Sequence, residues 1–112
     1  MASAFVLLAA PALARRYELP PREFDFANRY FARGDYETAI AYYKEALESN
    51  PGGEWSPEAL FLTARCLEEL SRWDLAERTF HSVVETYPES AWADDGEREC
   101  NDIGCPLRRA PA

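Results

Sequence analysis

Residues 30–51 read Tyr30-Phe31-Ala32-Arg33-Gly34-Asp35-Tyr36-Glu37-Thr38-Ala39-Ile40-Ala41-Tyr42-Tyr43-Lys44-Glu45-Ala46-Leu47-Glu48-Ser49-Asn50-Pro51, and this stretch decides the fold. In its second half Tyr36, Ala39, Ile40, Tyr43, Ala46 and Leu47 recur at the spacing of one helix face. Upstream, Phe24, Ala27, Tyr30 and Phe31 form a similar stripe, which Gly34-Asp35 interrupts. Gly34 supplies the left-handed residue that ends one helix, and Asp35 offers a carboxylate to the exposed amides that begin the next. Pro51-Gly52-Gly53 then stops the second helix. The stretch therefore reads as a helix hairpin.

Working outward, the hairpin occurs twice. Ala27, Tyr30, Tyr36, Ala39, Tyr43, Leu47 and Pro51 recur 37 residues later as Ala64, Leu67, Trp73, Ala76, Phe80, Val84 and Pro88, with size and apolarity kept. Self-similarity at a fixed period is the mark of stacked repeats. The second copy carries its own punctuation: Ser56 before Pro57 predicts one helix start, and Ser71, three residues before Asp74, predicts the next. A third start follows, because Ser90-Ala91-Trp92-Ala93 echoes Ser56-Pro57-Glu58-Ala59 at an offset of 34, as Cys100 echoes Cys66. Residues 90–103 thus predict a lone first helix with Ala93, Gly96, Cys100 and Ile103 inward and Asp94, Asp95, Glu97, Arg98 and Glu99 outward. A polar final helix of this kind closes the last apolar stripe of a solenoid. With no alternating apolar segment long enough for a strand, the expected class is all-α: an α-solenoid of two helix hairpins plus a C-terminal capping helix.

These residues resemble the tetratricopeptide repeat, a helix-turn-helix unit of about 34 residues. Small Ala39 and Ala46 stand where helices approach closely, and bulky Tyr36 and Tyr43 fill the spaces beside them. Two positions depart from the family pattern: Glu23 replaces the aromatic usually found early in the first helix, and Ser71 stands where Gly is expected. The resemblance places a domain at 15–103, with repeat one at about 20–53, repeat two at about 57–89 and the capping helix at about 90–103. The segment from Phe80 through Tyr87-Pro88 to Ala93 is similar to the repeat subtype of bacterial envelope proteins, such as the Tol-Pal division coordinator and the outer-membrane assembly lipoprotein. Exported members of that group bind other envelope proteins.

The resemblance implies a non-catalytic interaction scaffold, whose inner wall is built by the first helix of each pair and holds a peptide or a partner helix. Here that wall would present Phe24, Asn28 and Phe31, then Phe61, Arg65, Glu68 and Glu69. Two readings of it stay open. In one the aromatics anchor a peptide and Arg65 meets an acidic or backbone group. In the other Phe24 and Phe61 are buried by the neighbouring hairpin and touch no ligand. The carboxylate clamp of chaperone-tail-binding members is absent: Asn28 is in place, but Phe24 replaces its Lys and Leu62 its second Asn. Two hairpins are close to the minimum for a stable stack, so a homo-oligomer or a protein partner is expected.

The rest of the chain narrows the function. Its 112 residues are 47% hydrophobic and 29% charged, as in an ordinary soluble domain. A net charge of −8 would be repelled by a phosphate backbone or an anionic lipid surface, which excludes nucleic acid as a partner. Ala4 to Ala14 is an apolar run ending in Ala12-Leu13-Ala14, too short for stable membrane insertion. It predicts a signal peptide over 1–14, cut after Ala14, and a periplasmic or secreted address. No basic residue precedes the run, so a short packed helix in a cytoplasmic adaptor is the alternative.

Three cysteines and the single His81 fit no metal spacing, and neither a phosphate loop nor a nucleophile–base pattern is present. No catalytic, cofactor or metal site is expected. Cys66 reads as a buried, unreactive thiol. Cys100 and Cys105 are either a disulfide stapling the solenoid's end, ahead of the 104–112 tail, or two free thiols. They also define the alternative function, a small thiol redox or metal-binding protein.

Overall fold

The computed structural model describes residues 20–104, which form helices and no strand. The helices are α1 (Arg22–Ala32), α2 (Tyr36–Ser49), α3 (Ser56–Glu69), α4 (Trp73–Thr86) and α5 (Ala91–Asp102). Each packs chiefly on its neighbours in the chain, and α3 also touches α5. This is the stacking order of a tetratricopeptide-type α-solenoid: hairpin α1–α2, hairpin α3–α4, and α5 as a capping helix. No helix among the described residues is long and apolar enough to cross a membrane.

The first interhelical turn follows its local chemistry. Gly34 takes φ +79°, the left-handed conformation that costs a residue without Cβ nothing. Asp35 then caps α2: Oδ1 accepts from the Thr38 amide at 3.4 Å and Oδ2 from the Thr38 hydroxyl at 2.9 Å. The second turn is built differently from the sequence expectation. Ser71 does not cap α4; it adopts φ +57° and does the job of Gly34. Arg72 occupies the N-cap position of α4 without a side-chain cap bond. A residue committed to the left-handed end of one helix sits one position too early to cap the next. Ser56 starts α3 as expected, but not as a cap: it lies in the first turn and donates to the Asn50 carbonyl at 3.4 Å, leaving α3 without a side-chain cap. Pro57 fits that turn because its missing N–H had no partner to lose. Ser90 does cap α5, its Oγ accepting from the Ala93 amide at 3.2 Å.

Packing divides into two cores that share a boundary. Phe24, Ala27, Ala39, Tyr43 and Ala46 of the first hairpin close on Ala59 and Cys66 of α3. Phe61, Ala64, Leu67, Ala76, Phe80, Val83 and Val84 of the second close on Ala93 and Cys100 of α5. Ile40 and Leu62 touch both. The inner face of α5 is the predicted one, with Ala93, Gly96 and Cys100 buried and Ile103 half-buried, and Trp92 joins it.

Trp73 is a difference. Its repeat partner Tyr36 is half-buried, but Trp73 is 51% exposed. Tyr36 lies edge-to-face on Phe31, with ring centroids 5.6 Å apart, and the residue 37 positions beyond Phe31 is Glu68. Trp73 therefore has no aromatic ring at the matching place to pack on.

Candidate interaction surface on the inner helices

The first helix of each unit faces the same side of the stack, and α5 meets α3 directly there. The residues expected on this wall divide by burial. Phe24 is buried edge-to-face against Tyr43, with centroids 6.0 Å apart. Phe61 is buried between Phe80 at 5.6 Å and Trp92 at 5.1 Å. Both are core residues and not exposed anchors, because the second helix of each pair and the following first helix cover their rings. Phe31 stays half-buried beside Tyr36.

The polar positions are mostly committed to the protein itself. Tyr43 donates its hydroxyl proton to Asn28 Oδ1 at 2.6 Å, which satisfies a phenol deep in the first core. Burial pushes the Tyr43 phenol above its ordinary value, and Cys66 and then Glu58 add to the effect. Arg65 does not wait for a ligand either: its Nη1 donates to Glu99 Oε1 at 2.7 Å, across from α3 to α5. Both side chains are partly screened from water, so the pair ties the capping helix down more firmly than an exposed pair would.

Glu68 is the exception. Its Oε2 is buried and accepts no hydrogen bond, while the exposed Glu69 lies next to it in sequence. Burial raises the Glu68 carboxyl above its ordinary range; Glu99 raises it further, Arg65 opposes, and Glu69 and Asp102 add smaller pushes. The wall between α3 and α5 therefore carries an excess of negative charge around one carboxylate that lacks a donor.

Glu99, expected to point outward from α5, instead turns to Arg65 of α3, and neither it nor Trp92 was expected on this wall, although a signal existed. Asn28, Arg65 and Glu99 stand at one repeat register, 37 and then 34 residues apart, and Phe31, Glu68 and Asp102 stand at the next. Residues one repeat apart on successive inner helices become neighbours, so the 34-residue offset itself predicts Arg65 beside Glu99.

The Cys66 thiol sits in no reactive environment. Cys66 is fully buried, and its thiol is pushed up to about 12 by that burial first and Glu69 second. Almost no thiolate is present at neutral pH, so it is a poor nucleophile. Cys100 is fully buried in the second core. Cys105 lies outside the described residues, and so does any pairing with it, as do the 1–14 segment and its cleavage point. His81 is on α4, with Nδ1 3.1 Å from Glu85 Oε1 one turn away. No cluster of His, Cys, Asp or Glu among the described residues is arranged to hold a metal ion.

Against known proteins, residues 30–94 match the family model described as tetratricopeptide repeat. No curated protein matches the chain.

Proposed function

Because the chain belongs to the tetratricopeptide repeat family, whose repeats generally mediate protein–protein interaction and are generally non-catalytic, we propose that it is an interaction scaffold of the bacterial cell envelope. It takes a peptide or partner protein along the inner helices. The observation that carries this reading is Glu68 Oε2, buried and without a donor between α3 and α5. A buried acceptor left unmade costs about 1–3 kcal/mol, and a partner's Lys or Arg would recover that cost on binding. Asn28, Phe31 and Trp92 flank the same side with surface that is only half covered. The envelope address rests on the signal-like residues 1–14 and on the subtype resemblance of Phe80 to Ala93.

The test is binding of the full chain to a set of short peptides graded from acidic to basic, followed by fluorescence anisotropy. The basic members bind, and Glu68→Gln weakens them several-fold while the far-ultraviolet circular dichroism stays that of the parent. Equal binding by Glu68→Gln and parent would remove this wall from the account. N-terminal sequencing of the protein from an exported fraction tests the address independently: a chain starting at Arg15 supports it, and one starting at Met1 or Ala2 removes the leader.

A further inference from the structure

The two ends of the stack carry opposite charge at the positions the repeat uses for packing. In α3, Ala59 and Cys66 dock on the preceding hairpin, and in α5 their counterparts Ala93 and Cys100 do the same; all four are buried. In α1 the matching register, 37 residues earlier, holds Arg22 and Arg29, and both are exposed. Arg22, Phe26, Arg29, Tyr30 and Arg33 follow one another at helical spacing along a single face of α1 and its C-cap. That face is more than a charged cap. Tyr42 of α2 lies between Tyr30, stacked at 5.5 Å, and Phe26, also at 5.5 Å. The Arg29 guanidinium sits 5.9 Å over the Phe26 ring and that of Arg33 sits 5.7 Å over Tyr30. Phe26 is 40% exposed. The guanidinium groups are thus held on an aromatic platform that no helix among the described residues covers.

At the other end the pattern is inverted. In α3, Phe61, Ala64 and Leu67 pack onto the helices that follow. In α5 the matching register, 34 residues on, holds Asp95, Arg98 and Asn101, with Asp102 beside them. Arg98 is paired with Asp95 on the same helix, so the outward face of α5 is net acidic.

We propose that a second copy of this chain covers the α1 face, its acidic α5 face seated on the Arg22–Phe26–Arg29–Tyr30–Arg33 platform, so that copies stack end to end in the direction of the repeat. Charge chooses this arrangement over a symmetric dimer. Two α1 faces brought together would oppose arginines, and two α5 faces would oppose aspartates, whereas α1 on α5 pairs them. A contact between two different surfaces is heterologous, so it propagates into a chain of copies unless the rotation closes a ring. In a molecule with net charge −8, the α1 face is also the place where like-charge repulsion between copies is locally reversed.

Sedimentation velocity on the full chain tests this. The parent shows a mass that rises with protein concentration toward the millimolar range and falls back as salt is added. Arg29→Glu plus Arg33→Glu abolishes the rise, and so does Asp95→Lys plus Asp102→Lys, since each puts like charges at the junction. An equimolar mixture of the two variants restores it, because every junction in the mixture regains an opposite pair. All of these positions are on the surface, and unchanged circular dichroism establishes that each variant is folded. Both variants keep all three cysteines, so a difference between them and the parent is not a disulfide effect. A parent that stays monomeric throughout, or reversed variants that associate as the parent does, overturns the proposal. A mixture that fails to recover when each variant alone is monomeric overturns it as well.

Discussion

The two hairpins share one backbone plan but are filled differently. The first is aromatic: Phe24 on Tyr43, Phe31 on Tyr36, and Tyr42 between Phe26 and Tyr30. The second keeps one ring pair, Phe61 on Phe80, and otherwise closes with Leu67, Val83 and Val84. The first turn uses Gly34 and the second Ser71 in the same left-handed conformation. Where the first has Phe31, the second has Glu68. The repeat preserves what geometry demands, the small residues at Ala27/Ala64 and Ala39/Ala76, and lets the remaining volume be filled by whatever chemistry the surface needs.

The largest test of that comparison lies in the second hairpin. Phe80 is fully buried, meets Phe61, and belongs to the core that α5 closes. Phe80→Ala should cost about 3–5 kcal/mol, comparable with the whole stability of a small domain, and leave the second hairpin and the cap unfolded. Guanidinium unfolding followed at Trp73 and Trp92 checks it.

Next in size is the alkaline limb. Tyr43 and Cys66 both sit in the first core, and burial raises both above their ordinary values of 10.0 and 9.0. A raised pKa means the folded state holds its proton more tightly than the unfolded chain does. The associated stability is full below the unfolded pKa values and is lost as pH rises through the window above about 9. Alkali should therefore melt the first hairpin before the second, which buries no tyrosine. Cys66→Ala should shallow the slope between pH 9 and 10, where the thiol alone would begin to titrate in the unfolded chain. A chain whose two hairpins melt together at the same alkaline pH would contradict this division. Thiol labelling gives a parallel readout: Cys66 reacts only when the first core opens.

The turns come third. Ser71 holds φ +57°, where a Cβ meets the backbone at a cost of about 1–2 kcal/mol per residue. Ser71→Gly should recover roughly 0.5–1 kcal/mol of that, and Gly34→Ser should cost a similar amount. Thermal melts of the pair, read together, sharpen the claim that the two turns are the same structure with different residues.

How much of this was legible follows from which residues encode it. The helix number and order came from the apolar period and from Gly34, Asp35 and Pro51, all local signals. The inner face of α5 came from Ala93, Gly96, Cys100 and Ile103 in the same way. What was not legible is non-local. Ser71 reads as a cap because serine favours that role, and only the backbone path shows it spent on the turn before. Trp73 reads as core by analogy with Tyr36, and only the loss of Phe31's ring at Glu68 explains its exposure. The wall kept two readings open for a physical reason: Phe24 and Phe61 have the apolarity of anchors, but apolarity cannot say whether a ring meets a ligand or its own neighbour, and their burial fits the second. Arg65 had the charge of a ligand contact, and its partner Glu99 was one repeat away.

The smallest expected effect is the sharpest, because it acts on stability and on binding in opposite directions. Glu68 takes the place of Phe31 in the second hairpin, and burial with Glu99 nearby raises its carboxyl above the ordinary range. The folded state therefore favours the protonated acid. Its contribution is present at low pH and is lost as pH rises through the raised value, so at neutral pH the ionised group weighs against folding. Glu68→Gln removes that charge while keeping the shape, and should stabilise the chain by a few tenths of a kcal/mol at neutral pH, with the gain vanishing in mild acid. Glu68 as a whole is only half-buried, which keeps the figure small. If Glu68 were only a poorly placed surface acid, its removal would help folding and change nothing else. If it is kept for a cationic partner group, the same substitution makes a more stable protein that binds basic peptides less well. A gain in melting temperature together with a loss of affinity has no explanation in packing alone, since a better-packed wall should hold its ligand at least as firmly.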